Sequence, residues 1–310
     1  MLQGFETGRA FLWSPGLARN ANHHPHSLGS EGAAAENDGM KTHSSYRIAF
    51  ATDLSPDSQP AFLHALRLAL ALESELHMLH VEGRGRHGSF PSVRETLERW
   101  GALPPGTPRE NVEALTGLHI GKVEIRDHDA VGGIAHFLSQ HGCDLLVLAT
   151  HAREGVERAL KGSIAEKIAN AVPVPTLFVP VDRPGFVEPK SGALLLRRIL
   201  MPVSGDVPAD HALQELLFLT RGLGLSPDAI DLIQIGEGEQ HLGGSDGRDR
   251  MNVRRLPEGP IIETILDASA EADLIVMPTR GHDSLMDHLR GSTTERVMRR
   301  ARCPVMAIPA

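Results

Sequence analysis

One segment occurs twice in this chain. Residues 162–180 read GSIAEKIANAVPVPTLFVP and residues 291–309 read GSTTERVMRRARCPVMAIP, aligned without a gap at an offset of 129. The same offset aligns CDLLVLATHA (143–152) with ADLIVMPTRG (272–281). Upstream, RIAFATDLSPD (47–57) matches RILMPVSGDVP (198–208) at an offset of 151. A duplication of this extent constrains the fold more than any single motif, because both copies must bury the same pattern of apolar residues. The offset falls by 22 between the two matches, so the second copy is shorter in its middle. The missing piece is expected to correspond to the Pro- and Gly-rich stretch WGALPPGTP (100–108).

Both copies share one grammar. A short apolar run (48–51; 199–203) is followed by polar turn residues and a helical pattern (about 59–72; about 209–223). A second strand follows (76–81; 230–235), then a variable middle, a helix (134–141; 261–270) and a nearly pure apolar strand (145–149; 274–277). Runs apolar on both faces mark strands covered on both sides. Strands alternating with helices mark right-handed crossovers and a parallel sheet. The expected fold class is therefore α/β, with two tandem doubly wound, Rossmann-like parallel-sheet domains at 46–181 and 197–310, the second shortened. Residues 182–196, with Pro184, Gly185, Pro189 and Gly192, read as the linker. With aromatics at only 4%, the cores must be mainly aliphatic.

Residues 1–45 have a different character. They are rich in Gly, Ala, Asn, Ser and His, with little periodicity, and are expected to form a disordered tail. His23, His24 and His26 are interrupted by Pro25 and lack the Cys or carboxylate partners of a metal shell. Met40, just ahead of the ordered pattern, is a candidate alternative start. A net charge of −8 argues against a nucleic-acid surface, which needs clustered Lys and Arg. No apolar run reaches the roughly 18–20 residues of a membrane span, and no secretory signal is evident. Two cysteines suit a reducing compartment, so a cytoplasmic location is expected. Cys143 and Cys303, at strand starts, are expected to be buried and inert.

In open parallel sheets a ligand binds at the carboxyl ends of the strands, where the strand order reverses. Three features of the first copy converge there. Asp53 follows the first strand, Thr150-His151-Ala152-Arg153 follows the fourth, and Gly162-Ser163 opens the next helix, whose N–H groups suit an anion. Each has a plainer explanation: Asp53 as a turn residue, His151 as a loop histidine, and Ser163-x-x-Glu166 and Ser292-x-x-Glu295 as capping boxes. Gly83-Arg-Gly85-Arg-His-Gly88 matches a dinucleotide fingerprint in form only, since it follows the second strand and no helix pattern follows at once; a flexible basic loop is expected. No Walker A sequence, nucleophile elbow or C-x-x-C occurs, and no arrangement identifies a catalytic nucleophile.

The pattern Gly-x2-Gly-x9-Gly-Ser, after a fourth strand and before a helix and a Pro-containing fifth strand, is that of the universal stress protein family, which this chain resembles at 149–163 and 278–292. The resemblance covers nearly all of 46–310, twice. It implies an adenine nucleotide hydrolase-like fold and a stress-response protein that binds ATP, with or without Mg²⁺, as a regulatory ligand rather than an enzyme. It also implies pairing of the two domains through 176–179 and 305–308 into an internal pseudo-dimer, and the family's habit of pairing extends to homodimers; nucleic acid and membrane are not implied partners. Carried over, the nucleotide site is Ala51, Asp53, Val81, Leu148, Ala149, His151, Ala152, Gly162, Ser163 and Ile164. Ala149 and Ala152 stand at both leading glycine positions of the motif; if the backbone there needs positive φ, Ala costs about 1–2 kcal/mol. In the second copy Pro278 takes the first glycine position and Ser204 replaces the aspartate, so the first copy is the expected site. The alternative is a scaffold that binds no nucleotide and acts through protein partners.

Overall fold

A computed structural model describes residues 46–82, 88–151, 164–183, 185–203, 207–235, 250–279 and 292–309. The first half runs β1 (Arg47–Ala51), α1 (Gln59–Leu72), β2 (Glu75–Val81), α2 (Val93–Arg99), α3 (Val112–Thr116), β3 (His119–Ile125), α4 (Ala130–His141), β4 (Leu145–Thr150), α5 (Ile164–Ala171) and β5 (Thr176–Pro180). The second runs β6 (Ile199–Val203), α6 (Asp210–Gly222), β7 (Ile230–Ile235), β8 (Asn252–Leu256), α7 (Ile261–Ala268), β9 (Leu274–Thr279), α8 (Thr293–Arg300) and β10 (Val305–Pro309).

These strands make one sheet of ten in the order β3-β2-β1-β4-β5-β10-β9-β6-β7-β8. Each half has the same internal order, and the repeat is visible in the register: Ile48 faces Leu145 as Ile199 faces Leu274. Every pairing is parallel except the central one, where β10 runs antiparallel to β5 through Val305↔Phe178 and Ala307↔Thr176. Alternate side chains feed two cores. Ile48, Phe50, Leu145 and Val147 pack with α1, while Ala49, Ala51, Leu146 and Leu148 pack with α4 and α5. Helices thus cover both faces, the doubly wound α/β arrangement expected from the two-sided apolar runs.

Strands β3 and β8 belong to the variable middle of each copy. Both are outer strands, His-Ile-Gly-Lys-Val-Glu-Ile and Asn-Val-Arg-Arg-Leu, and β8 is exposed along most of its length. The length difference also falls there. Residues 82–118 join β2 to β3, carrying α2 and α3, whereas only 236–251 join β7 to β8. Residues 185–196 form a hairpin docked on the first half. Val187 bridges Leu194, Phe186 N donates to His64 Nε2 at 3.0 Å, and Trp100 Nε1 donates to Pro189 O at 3.1 Å. Residues 1–45, residues 83–87 of the glycine-rich loop, and Ser204 lie outside the described residues.

Candidate functional site

The chain leaves β1 toward β2 over the α1 face and enters β4 from β3 over the α4 face. The strand order therefore reverses between β1 and β4, and their carboxyl ends border a cleft. Ala51, the last residue of β1, sits in register with Leu79 of β2 and Leu148 of β4. The next turn is closely bonded. Thr52 N donates to Leu79 O at 2.9 Å, and Thr52 Oγ1 accepts from Leu54 N at 2.9 Å. Leu54 has φ +60, a left-handed conformation that costs an L-residue roughly 1–2 kcal/mol. Gly88 lies against it, where an added Cβ would fall 2.6 Å from Leu54 Cβ. Such strain persists only when the surroundings fix it, as they do here.

Asp53 is exposed at the tip of this turn. Its Oδ1 accepts from Ser55 N at 2.9 Å, Ser55 Oγ at 2.5 Å and Ser58 Oγ at 2.9 Å. The turn reading and the site reading of this aspartate are thus compatible, because the bonds to Ser55 and Ser58 hold the carboxylate at the cleft. Val81 ends β2 opposite Ile125. Leu148 is buried, and Ala149 is half-buried in β4 beside Val179. Among the described residues only Leu54 and Glu73 are non-glycines with positive φ, so Ala149 carries no left-handed strain. The cost considered for it does not arise. His151 follows β4 directly, half-exposed, and its Nε2 lies 2.9 Å from Asp57 Oδ2. Ile164 is the first residue of α5; Ala152, Gly162 and Ser163 lie outside the described residues.

Two residues at this end were not among the sequence candidates. Asp57, in the turn before α1, reaches His151 across the cleft. His80 is buried at the end of β2, its Nδ1 3.0 Å from Thr52 O and its ring edge-on to Phe90. Lys122 Nζ stands 5.9 Å over the same Phe90 ring, and burial followed by repulsion from Arg109 lowers its pKa. Both cysteines have thiols pushed up to about 12, mainly by burial, which keeps them unreactive.

The corresponding end of the second half is described at Val203, Thr279 and Ser292. Thr279 Oγ1 donates to Ile308 O at 3.3 Å, and Ser292 Oγ accepts from Glu295 N at 3.1 Å, the cap expected at the start of α8. Glu166 and Glu295 share one arginine: Arg299 Nη2 lies 2.6 Å from Glu295 Oε1 and 3.3 Å from Glu166 Oε2. Among the described residues no group of three or more His, Cys, Asp or Glu side chains is arranged to hold a metal ion, and no helix is long and apolar enough to cross a membrane.

A duplicated doubly wound sheet of this order, open at the β1–β4 cleft, defines a tandem Rossmann-like α/β protein. The universal stress protein family matches residues 45–180 and 239–309, more than half of the chain, and the chain belongs to that family. The second match begins at 239, while β6, α6 and β7 precede it in the structure and complete the second unit. A universal stress protein of Methanocaldococcus jannaschii is 27% identical over 139 residues, covering 43% of this chain and 81% of that protein. Among solved structures, a universal stress protein from Archaeoglobus fulgidus DSM 4304 has a TM-score of 0.59 at 23% identity, covering 86% of this chain and 97% of the other. A putative universal stress protein from Pseudomonas aeruginosa UCBPP-PA14 has a TM-score of 0.52 at 16% identity, covering 86% and 94%. These two likenesses extend the fold over both halves.

Proposed function

We propose that this protein binds ATP or a related adenine nucleotide, as its Mg²⁺ complex where triphosphate is present, as a regulatory ligand in the cleft of the first half. The observation that carries this reading is the convergence of Ala51, Asp53, Val81, Leu148, Ala149 and His151 at the carboxyl ends of three adjacent strands. In this reading Asp53 accepts from the adenine, the backbone at Val81 follows the base, and the segment after β4 lies along the ribose and phosphates. Ala152, Gly162, Ser163 and Ile164 complete the phosphate side. Extended backbone at Ala149 supports close approach in spite of its Cβ. Occupancy acts as a signal in the cytoplasm, and no group is assigned to catalysis.

The test is calorimetry of the full chain with ATP and Mg²⁺, for the wild type and Asp53→Ala. Loss of a hydrogen bond to a charged group costs about 1.5–3 kcal/mol, so the variant should bind roughly ten- to a hundredfold more weakly. No wild-type binding at millimolar ATP rejects the reading. Binding unchanged by Asp53→Ala moves the site elsewhere, with the second half next to examine.

One observation favours a second reading. The antiparallel β5–β10 pairing makes the two halves an internal pair with a continuous sheet, a platform that suits a protein acting through partners and binding no nucleotide.

A further inference from the structure

We propose, resting on the nucleotide reading above, that Asp57 sets the charge selectivity of the first-half cleft by competing with ligand phosphate for His151. The pair has an unusual position. Asp57 belongs to the turn after β1 and His151 is the first residue after β4, so their contact at 2.9 Å crosses the mouth of the cleft where the strand order reverses. The two residues are 94 apart in sequence and both are about half exposed, at 50% for His151 and 56% for Asp57. Helix capping does not account for the contact: the turn containing Asp57 has no side-chain cap, and the Asx bonds there are made by Asp53.

His151 Nε2–H donates to the Asp57 carboxylate. A phosphate oxygen placed beside the end of β4 is an alternative acceptor for the same N–H, and it carries the same sign of charge as Asp57. Binding therefore requires the ligand to displace Asp57 and to sit near its negative charge. The penalty rises with each phosphate and vanishes for an uncharged nucleoside. Two unit charges about 4 Å apart interact by about fivefold in binding even under full water screening, and more at a partly covered surface. Asp57 thus biases the cleft toward ligands of low charge, such as a nucleoside or a mononucleotide, over a triphosphate.

The experiment is a calorimetric ladder of adenosine, AMP, ADP and ATP against the full chain, comparing wild type, Asp57→Asn, His151→Gln and the double variant. Asparagine keeps the shape and removes the charge. Asp57→Asn should leave adenosine affinity unchanged and raise ATP affinity about five- to tenfold, with AMP and ADP between, and the gain should shrink in 0.5 M salt. His151→Gln should cost more ATP affinity in the Asp57→Asn background than in the wild type, because only there is the imidazole released. A change of equal size for adenosine and ATP, or no change at either, overturns the proposal while leaving the nucleotide reading intact. Absence of binding by every ligand to every variant overturns both.

Discussion

Two buried polar residues, His64 and Glu215, are tied to partners far away in sequence, while buried hydroxyls such as those of Thr96, Thr107 and Thr220 bond to carbonyls three or four residues back. His64 is 2% exposed on α1, its Nδ1 2.7 Å from Pro60 O and its Nε2 accepting from Phe186 N at 3.0 Å. The neutral ring satisfies both contacts, and burial lowers its pKa to about 4, with the Pro60 carbonyl opposing. Between about pH 6.5 and 4 the unfolded chain takes up a proton that the folded chain refuses. Stability should therefore fall as pH drops through that window, by up to roughly 3 kcal/mol, and this contribution should be absent above it. Urea unfolding at pH 7 and 4.5 checks this: His64→Leu should flatten the loss in that window, although it lowers stability at pH 7 by orphaning Phe186 N. At this scale the sequence was partly readable. Asp53 and His151 stood out because each comes two residues past the end of an apolar run. Asp57 and His80 did not, since their roles depend on Oδ2 reaching His151 and on a ring reaching Thr52 O, and no local spacing encodes either contact. The left-handed φ of Leu54 was equally hidden, because leucine gives no turn signal.

Elements repeat more faithfully than their contacts. His64 of α1 and Glu215 of α6 stand at equivalent positions, 151 apart, and both are buried polar residues. His64 anchors the hairpin at 185–196, whereas Glu215 accepts from Tyr46 Oη at 2.6 Å and so ties α6 to the start of the first half. The helix α1 and strands β6 and β7 follow the apolar periodicity to the residue. Strands β3 and β8 did not register as apolar runs, because an outer strand buries too little to need one. The docked hairpin was legible only as a cluster of Pro and Gly, and its glycines show why the cluster is there. Gly192 has φ +68, and a Cβ on it would fall 2.3 Å from the Trp100 ring. Gly192→Ala should cost about 2–4 kcal/mol by combining left-handed strain with a clash against an indole. Thermal or urea unfolding measures this, and a loss under 0.5 kcal/mol would show that the hairpin is not seated on Trp100.

The described residues form one sheet with two cores, and each core draws side chains from both halves: Ile48 and Leu66 share one with Met201 and Leu216, Ala49 and Ile168 share the other with Ile275 and Val297. The sequence repeat suggested two tandem units, the second shortened in its middle, and the strand order bears out the repetition. The side chains at the strand ends break the symmetry. The first cleft combines Asp53, Asp57, His80 and His151, while the second copy has Ser204 in place of the aspartate and Pro278 within β9. In the proposed reading the ligand enters the first cleft. Hydrogen exchange of the full chain with and without ATP and Mg²⁺ tests it most directly. Slowed exchange is expected at amides within 52–58, 81–82 and 149–151, with residues 203, 207–211 and 279 unchanged. Slowing confined to the second set, or none at saturating nucleotide, would contradict it.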